Sequence, residues 1–110
     1  MNMTEYIQLF TTTEKRNDAK MIAAEVVKKR LAACAQVVGP ITSTYWWEGK
    51  IEEAEEWFCI MKSRKDLYDG LEKAIQDIHP YDVPEIVAVP IVSGSPSYLR
   101  WLDKALIIDQ

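Results

Sequence analysis

Apolar residues along this chain change their period several times, and each change marks an element. Glu5 to Thr11 is rich in β-branched and aromatic residues and predicts a first strand. Asn17 or Asp18 offers a helix cap, and Ala19, Ile22, Ala23, Val26 and Val27 then recur at i, i+3, i+4, i+7 and i+8. Lys28, Lys29 and Arg30 fall in the last turn, where cations suit the helix dipole. Ala32 to Val38 and Ile41 to Trp47 read as one strand interrupted by a kink or bulge at Gly39-Pro40. Glu48-Gly49 suits a two-residue hairpin turn, and Lys50 to Lys62 runs back as a long strand. Along that strand Trp57, Cys59 and Met61 share one face and Phe58 and Ile60 the other, so its end is expected to be buried on both sides. Leu67, Leu71, Ala74, Ile75 and Ile78 hold helical spacing from about Lys65 to Ile78, with Ser63 as the cap. Ile86 to Val89 is an apolar strand that Pro90 restricts to an edge or bulge. Ser95-Pro96 then reads as an N-cap followed by proline at the first helical position, opening a short helix with Tyr98, Leu99, Trp101 and Leu102.

The order β-α-β-β-α-β-α predicts an α+β fold, a ferredoxin-like βαββαβ unit with an extra C-terminal helix. Its antiparallel sheet would carry the first two helices on one face. The other face needs cover, and Tyr45, Trp46 and Trp47 crowd the hairpin. An uncovered apolar sheet face predicts self-association. With Glu48-Gly49 as the turn, paired residues sum to 97, which sets Cys59 opposite Val38 and predicts no bond between the two cysteines.

At 110 residues the chain is expected to form one domain, 1–110. A hydrophobic content of 48% is enough to build a core. A net charge of −4 argues against a nucleic-acid binder, which needs a basic face. No apolar run is long enough to span a membrane, and Met1 to Glu5 shows no signal-peptide pattern. Cys34 and Cys59 belong to no C-x-x-C pair, which fits free thiols in a reducing, cytoplasmic setting. Each reads as a small packing residue, or as a ligand or nucleophile.

Candidate chemistry centres on His79-Pro80-Tyr81-Asp82-Val83-Pro84-Glu85, which holds the single histidine. Two prolines stiffen the run, and an imidazole, a phenol and two carboxylates stand on it. It reads either as a helix stop and loop or as a metal or proton site at His79. There is no P-loop, dinucleotide fingerprint, zinc-type histidine cluster or serine elbow, and no organic cofactor is indicated. Glu52-Glu53 and Glu55-Glu56 read as a solvated strand edge. An enzyme using His79 with Glu85 or Asp82 as acid and base lacks an activated nucleophile, so no enzyme activity is expected.

Five segments in order carry more: Arg30-Leu31-Ala32-Ala33-Cys34-Ala35-Gln36-Val37, Ser43 to Ile51, Met61-Lys62-Ser63, His79 to Ile86, and Tyr98-Leu99-Arg100-Trp101-Leu102. Together they closely resemble the CutA divalent-cation tolerance family, over nearly the whole chain. The resemblance implies a cytosolic trimer in which strands are shared between subunits and the sheets face a three-fold axis. It also implies copper or another divalent cation as a weakly bound ligand, since some members bind such ions. Animal members are linked to membrane anchoring of acetylcholinesterase. The trimer also resembles PII signalling proteins, so the alternative expectation is a sensor holding a small effector between subunits. No well-established enzyme activity comes with the resemblance. Cys34 matches the family's L-A-A-C motif and His79 its H-P-Y motif, which makes His79 the candidate metal ligand. Trp47, Lys62, Tyr81 and Glu85 match further family positions and, with Cys34, form the candidate intersubunit cleft. Some members carry a cysteine where this chain has Phe10 and a histidine where it has Ile78, so two metal donors are missing here. Lys62, if buried, needs a partner, for which Glu85 or Asp82 are candidates. That pairing would serve either as an intersubunit bridge or in a cleft for a small anion or cation complex.

Overall fold

The computed structural model describes residues 6–106. Its elements are β1 (Tyr6–Thr13), α1 (Arg16–Lys28), β2 (Cys34–Trp47), β3 (Lys50–Arg64), a 3-10 turn (Lys65–Leu67) leading into α2 (Tyr68–Ile78), β4 (Val87–Ile91) and α3 (Pro96–Ala105). The four strands form one sheet in the order β2-β3-β1-β4, with every neighbour antiparallel. This is the predicted ferredoxin-like α+β arrangement. Glu5, the expected first residue of β1, lies outside the described residues.

Alternation along the strands divides the sheet into two unlike faces. Leu9, Cys59 and Met61 point one way and pack against Ala19, Ile22 and Val26 of α1 and Leu71 and Ile75 of α2. All of these are fully buried. Val27, expected in the same stripe, is 39% exposed, so the buried stripe of α1 is narrower than its sequence period. Leu67 also departs from expectation. The 3-10 turn swings it away from the α2 stripe, and it packs against Ala33, Leu102 and Leu106 beside α3.

Helix starts differ from their predicted caps. α1 begins at Arg16 behind an extended Lys15, with no side-chain cap, so Asn17 and Asp18 lie inside its first turn. There the Asp18 carboxylate still suits the positive end of the helix dipole. Ser63 caps nothing: it belongs to β3, and its hydroxyl donates to the Leu31 carbonyl at 2.6 Å. Ser95 is as expected, accepting from the Tyr98 amide at 3.3 Å with Pro96 at the helix start.

β2 and β3 form a long arm that contributes to molecular extents of 48 × 25 × 21 Å. Its tip is the expected Glu48-Gly49 turn, with φ of 51° and 80° at the two residues. Register near the tip is as predicted, Trp47 opposite Lys50 and Ile41 opposite Glu56. Between Val38 and Ile41 the predicted bulge shifts it by one. Val37, not Val38, therefore faces Cys59, and Cys34 faces Lys62. The Gly39-Pro40 bond is cis. A Cβ on Gly39 would lie 2.7 Å from the Trp57 ring, so only glycine lets the bulged backbone settle there.

α3 lies on the face opposite α1 and α2. Asp103 accepts from the Tyr6 hydroxyl at 2.8 Å and pairs with Arg64 at 3.4 Å, and Leu102 is fully buried beneath it. The helix covers only one end of that face. Phe10 and Phe58, in edge contact, and Ile60 stay half-buried, and Val38, Val87 and Val89 are exposed.

Candidate functional site

The run from His79 to Glu85 leaves α2 and turns under the end of β1. The helix must stop there because His79 precedes a proline, and its φ and ψ of −72° and 135° are extended. Its side chain is buried, 9% exposed, and both ring nitrogens are engaged. Nε2 lies 2.9 Å from the Thr12 carbonyl on β1, and Nδ1 accepts from the Tyr81 amide at 3.1 Å. The Tyr81 ring rests against the imidazole at 4.9 Å between centroids. Its hydroxyl donates to Glu56 Oε2 on β3 at 2.6 Å.

Burial holds the His79 pKa below its ordinary value, outweighing the Thr12 bond and the charges of Asp18 and Glu56. Asp82 and Glu85, on the same segment, are not among the groups that act on the ring. Burial, then the bond to Glu56 and the carboxylate charges, push the Tyr81 phenol well above the usual tyrosine value. Tyr81 is therefore a protonated donor at neutral pH.

A groove of about 950 Å³ opens beside this network. Its walls include Tyr45, Trp47, Tyr81, Asp82, Glu85 and Glu56, with Glu14 and Glu55 adding two more carboxylates and Lys15 the single lysine among the lining residues. Glu56 was read as part of a solvated edge. Instead it is 8% exposed and bonded to Tyr81. The signal for this was a phenol-bearing stiff loop needing a partner, and sequence alone does not say which carboxylate supplies it.

Of the five residues placed in one cleft, the groove gathers Trp47, Tyr81 and Glu85. Cys34 and Lys62 face one another elsewhere, across β2 and β3. Within the subunit the Lys62 ammonium donates to Gln36 Oε1 at 3.0 Å. Cys34 Sγ lies 3.8 Å from the Tyr98 hydroxyl. Cys59 sits in the core, and burial pushes its thiol up to about 12.

The donor set does not assemble a closed metal centre within one subunit. Among the described residues, no three His, Cys, Asp or Glu side chains converge on one point. The soft donors Cys34 and Cys59 lie on opposite faces of the sheet, and a metal would reach His79 only by displacing a hydrogen-bond partner. What the groove offers a cation is carboxylate oxygen, a hard donor suited to loose, exchangeable contact.

Residues 7–105 match the family described as CutA1 divalent ion tolerance protein. This chain belongs to the CutA1 divalent ion tolerance family. It is 40% identical over 99 residues to the rice (Oryza sativa subsp. japonica) protein named Protein CutA 1, chloroplastic, covering 90% of this chain and 56% of the relative. It therefore spans little more than half the length of that relative. To the Divalent-cation tolerance protein CutA of Pyrococcus horikoshii it is 40% identical over 96 residues, 87% of this chain and 93% of that one. The crystal structure of CutA1 from Oryza sativa superposes with a TM-score of 0.92 at 36% identity, covering 96% of each chain. The family fold thus accounts for the βαββαβ core, the long β2–β3 arm and α3 together.

Proposed function

We propose that this CutA1 family member acts in divalent-cation tolerance as a cytosolic homotrimer that binds copper or another divalent cation weakly. The observation that carries the reading is the groove, where Glu14, Glu55, Glu56, Asp82 and Glu85 stand against one lysine. Carboxylates concentrated on an open wall attract divalent cations and release them readily. A cation that drew on His79 would first displace the Tyr81 amide from Nδ1. Leaving a buried donor unmade costs about 1–3 kcal/mol, roughly one to two powers of ten in affinity. The exposed carboxylates Glu14, Glu55, Asp82 and Glu85 impose no such cost, so the reading places the cation on them.

Two further observations support the wider proposal. The half-covered sheet face supplies the apolar surface a trimer needs, and Cys34 and Cys59 are both free thiols, as a reducing compartment requires. The reading is of a binding protein rather than an enzyme, in keeping with relatives named as tolerance proteins.

Isothermal titration of the purified protein with Cu(II), Zn(II) and Mn(II) tests it. Weak saturable binding is expected, and Asp82→Asn with Glu85→Gln should lower it. Unchanged affinity in that double variant would remove the groove from the reading.

A further inference from the structure

His79 ties the stiff run to β1 through one ring nitrogen and to the run's own Tyr81 through the other. Its two partners also dictate its chemical form. The Thr12 carbonyl can only accept, so Nε2 must carry a proton. The Tyr81 N–H can only donate, so Nδ1 must be bare. The ring is thus a neutral imidazole in the Nε2–H tautomer, with no spare lone pair.

The consequences run outward from the ring. The amide held at Nδ1 belongs to Tyr81, whose ring rests tilted against the imidazole and whose hydroxyl donates to Glu56. Tyr81 and Glu56 are both groove wall, and Asp82 and Glu85 follow on the same segment. Thr12, the other anchor, is itself part of the wall.

We infer that His79 is a positioning residue: its imidazole clips the Tyr81–Glu85 segment to β1 and so sets the spacing of the groove's carboxylates, instead of donating a nitrogen to a metal. The inference deepens the cation-binding reading and rests on it for the groove's role, but the clip itself does not depend on cation binding.

The test uses the full chain labelled with ¹⁵N at the imidazole. At pH 7.5 Nε2 should be protonated and Nδ1 bare, and saturating Zn(II) should leave the Nδ1 resonance in place. Three variants then separate the roles. His79→Asn keeps an acceptor near the Nδ1 position, His79→Gln keeps a donor near Nε2, and His79→Ala keeps neither.

A clip predicts that the Tyr81 amide stays protected from exchange in His79→Asn and loses protection in His79→Ala. It predicts that Zn(II) affinity falls by roughly tenfold in His79→Ala, as for other residues that orient ligands, and is mostly retained in His79→Asn. A Zn(II)-induced Nδ1 shift, or equal loss of affinity in all three variants, would show a ligand and overturn the inference. So would a Tyr81 amide that exchanges equally in wild type and His79→Ala. If Zn(II) does not bind at all, the cation reading fails, while the tautomer and the Tyr81 amide still decide the clip. Should His79→Ala fail to fold, the wild-type spectrum and His79→Asn carry the same decision.

Discussion

Burial dominates the chemistry of single residues in this chain. His79 is the clearest case, because its folded-state pKa lies below the ordinary 6.5. The unfolded chain gains a proton near pH 6.5, while the folded chain gains it only at lower pH. The groups acting on the ring are the Thr12 carbonyl on β1, Asp18 on α1 and Glu56 on β3, each favouring the proton, and burial outweighs them. Stability from this group is therefore complete above pH 6.5 and is lost as pH falls through the folded value. Urea midpoints of wild type and His79→Asn, measured from pH 7.5 downward, should converge as the pH falls below 6.5. A gap that stays constant would show that the ring titrates normally in the fold. Cys59 obeys the same rule, since burial pushes its thiol up to about 12. It should remain unlabelled by iodoacetamide in the native protein at pH 8, and two thiols should label under denaturing, non-reducing conditions. Native labelling at Cys59, read by peptide mass, would show that β3 is not packed as described.

Elements were legible wherever local chemistry decides them. The period-2 runs, the Glu48-Gly49 turn, the Gly39-Pro40 bulge, the Ser95-Pro96 start and the element order all appear where the residues place them. Helix starts were not legible at α1 and α2, because neither uses a side-chain cap. Backbone bonds hold α1 instead, with the Asp18 and Ala19 amides both reaching the Lys15 carbonyl. Leu67 and Val27 carry the right spacing, but packing places them elsewhere. Within one subunit, Trp47, Tyr81 and Glu85 line a common groove, whereas strand register sets Cys34 opposite Lys62 at the far end of β2 and β3, a placement that only pairing reveals. Glu56 was missed because a buried glutamate depends on a partner distant in sequence, here Tyr81. The bulge invites an element-scale prediction. A methyl on Gly39 would meet two Trp57 ring carbons at 2.7 and 2.9 Å and the Glu56 carbonyl at 3.2 Å. The Arg16 guanidinium lies over the same ring, 5.8 Å from its centroid. Gly39→Ala should destabilise the protein by about 1–3 kcal/mol, as overpacking of a filled space does. A denaturant midpoint equal to wild type would mean that Trp57 moves freely.

At the scale of the whole molecule the two sheet faces are unequally served. Helices α1 and α2 close one face around fully buried Leu9, Cys59 and Met61. On the other, α3 seals only the end near Tyr6 and Arg64. Val38, Val87 and Val89 stay 47%, 46% and 44% exposed, on the two edge strands of that face. The arm adds Trp46 at 70% and Ile51 at 63% exposure near its tip. Apolar surface spread over a face, two edges and an arm cannot be closed by one small subunit, and the proposed ring of three copies would close it by symmetry. Burying the part of each valine that is still exposed, a little under half, is worth about 1 kcal/mol. A glutamate at the same place loses that gain and adds the cost of an unpaired buried charge, several kcal/mol. Val87→Glu and Val89→Glu should therefore break the trimer while leaving the subunit folded, because in the single subunit both side chains already reach water. Sedimentation equilibrium at low micromolar concentration should give a trimer mass for wild type and a monomer mass for the double variant, with unchanged far-UV circular dichroism. A concentration-independent monomer mass for wild type would sink the trimer. An intact trimer in the double variant would place its contacts elsewhere, on the arm and its aromatic tip.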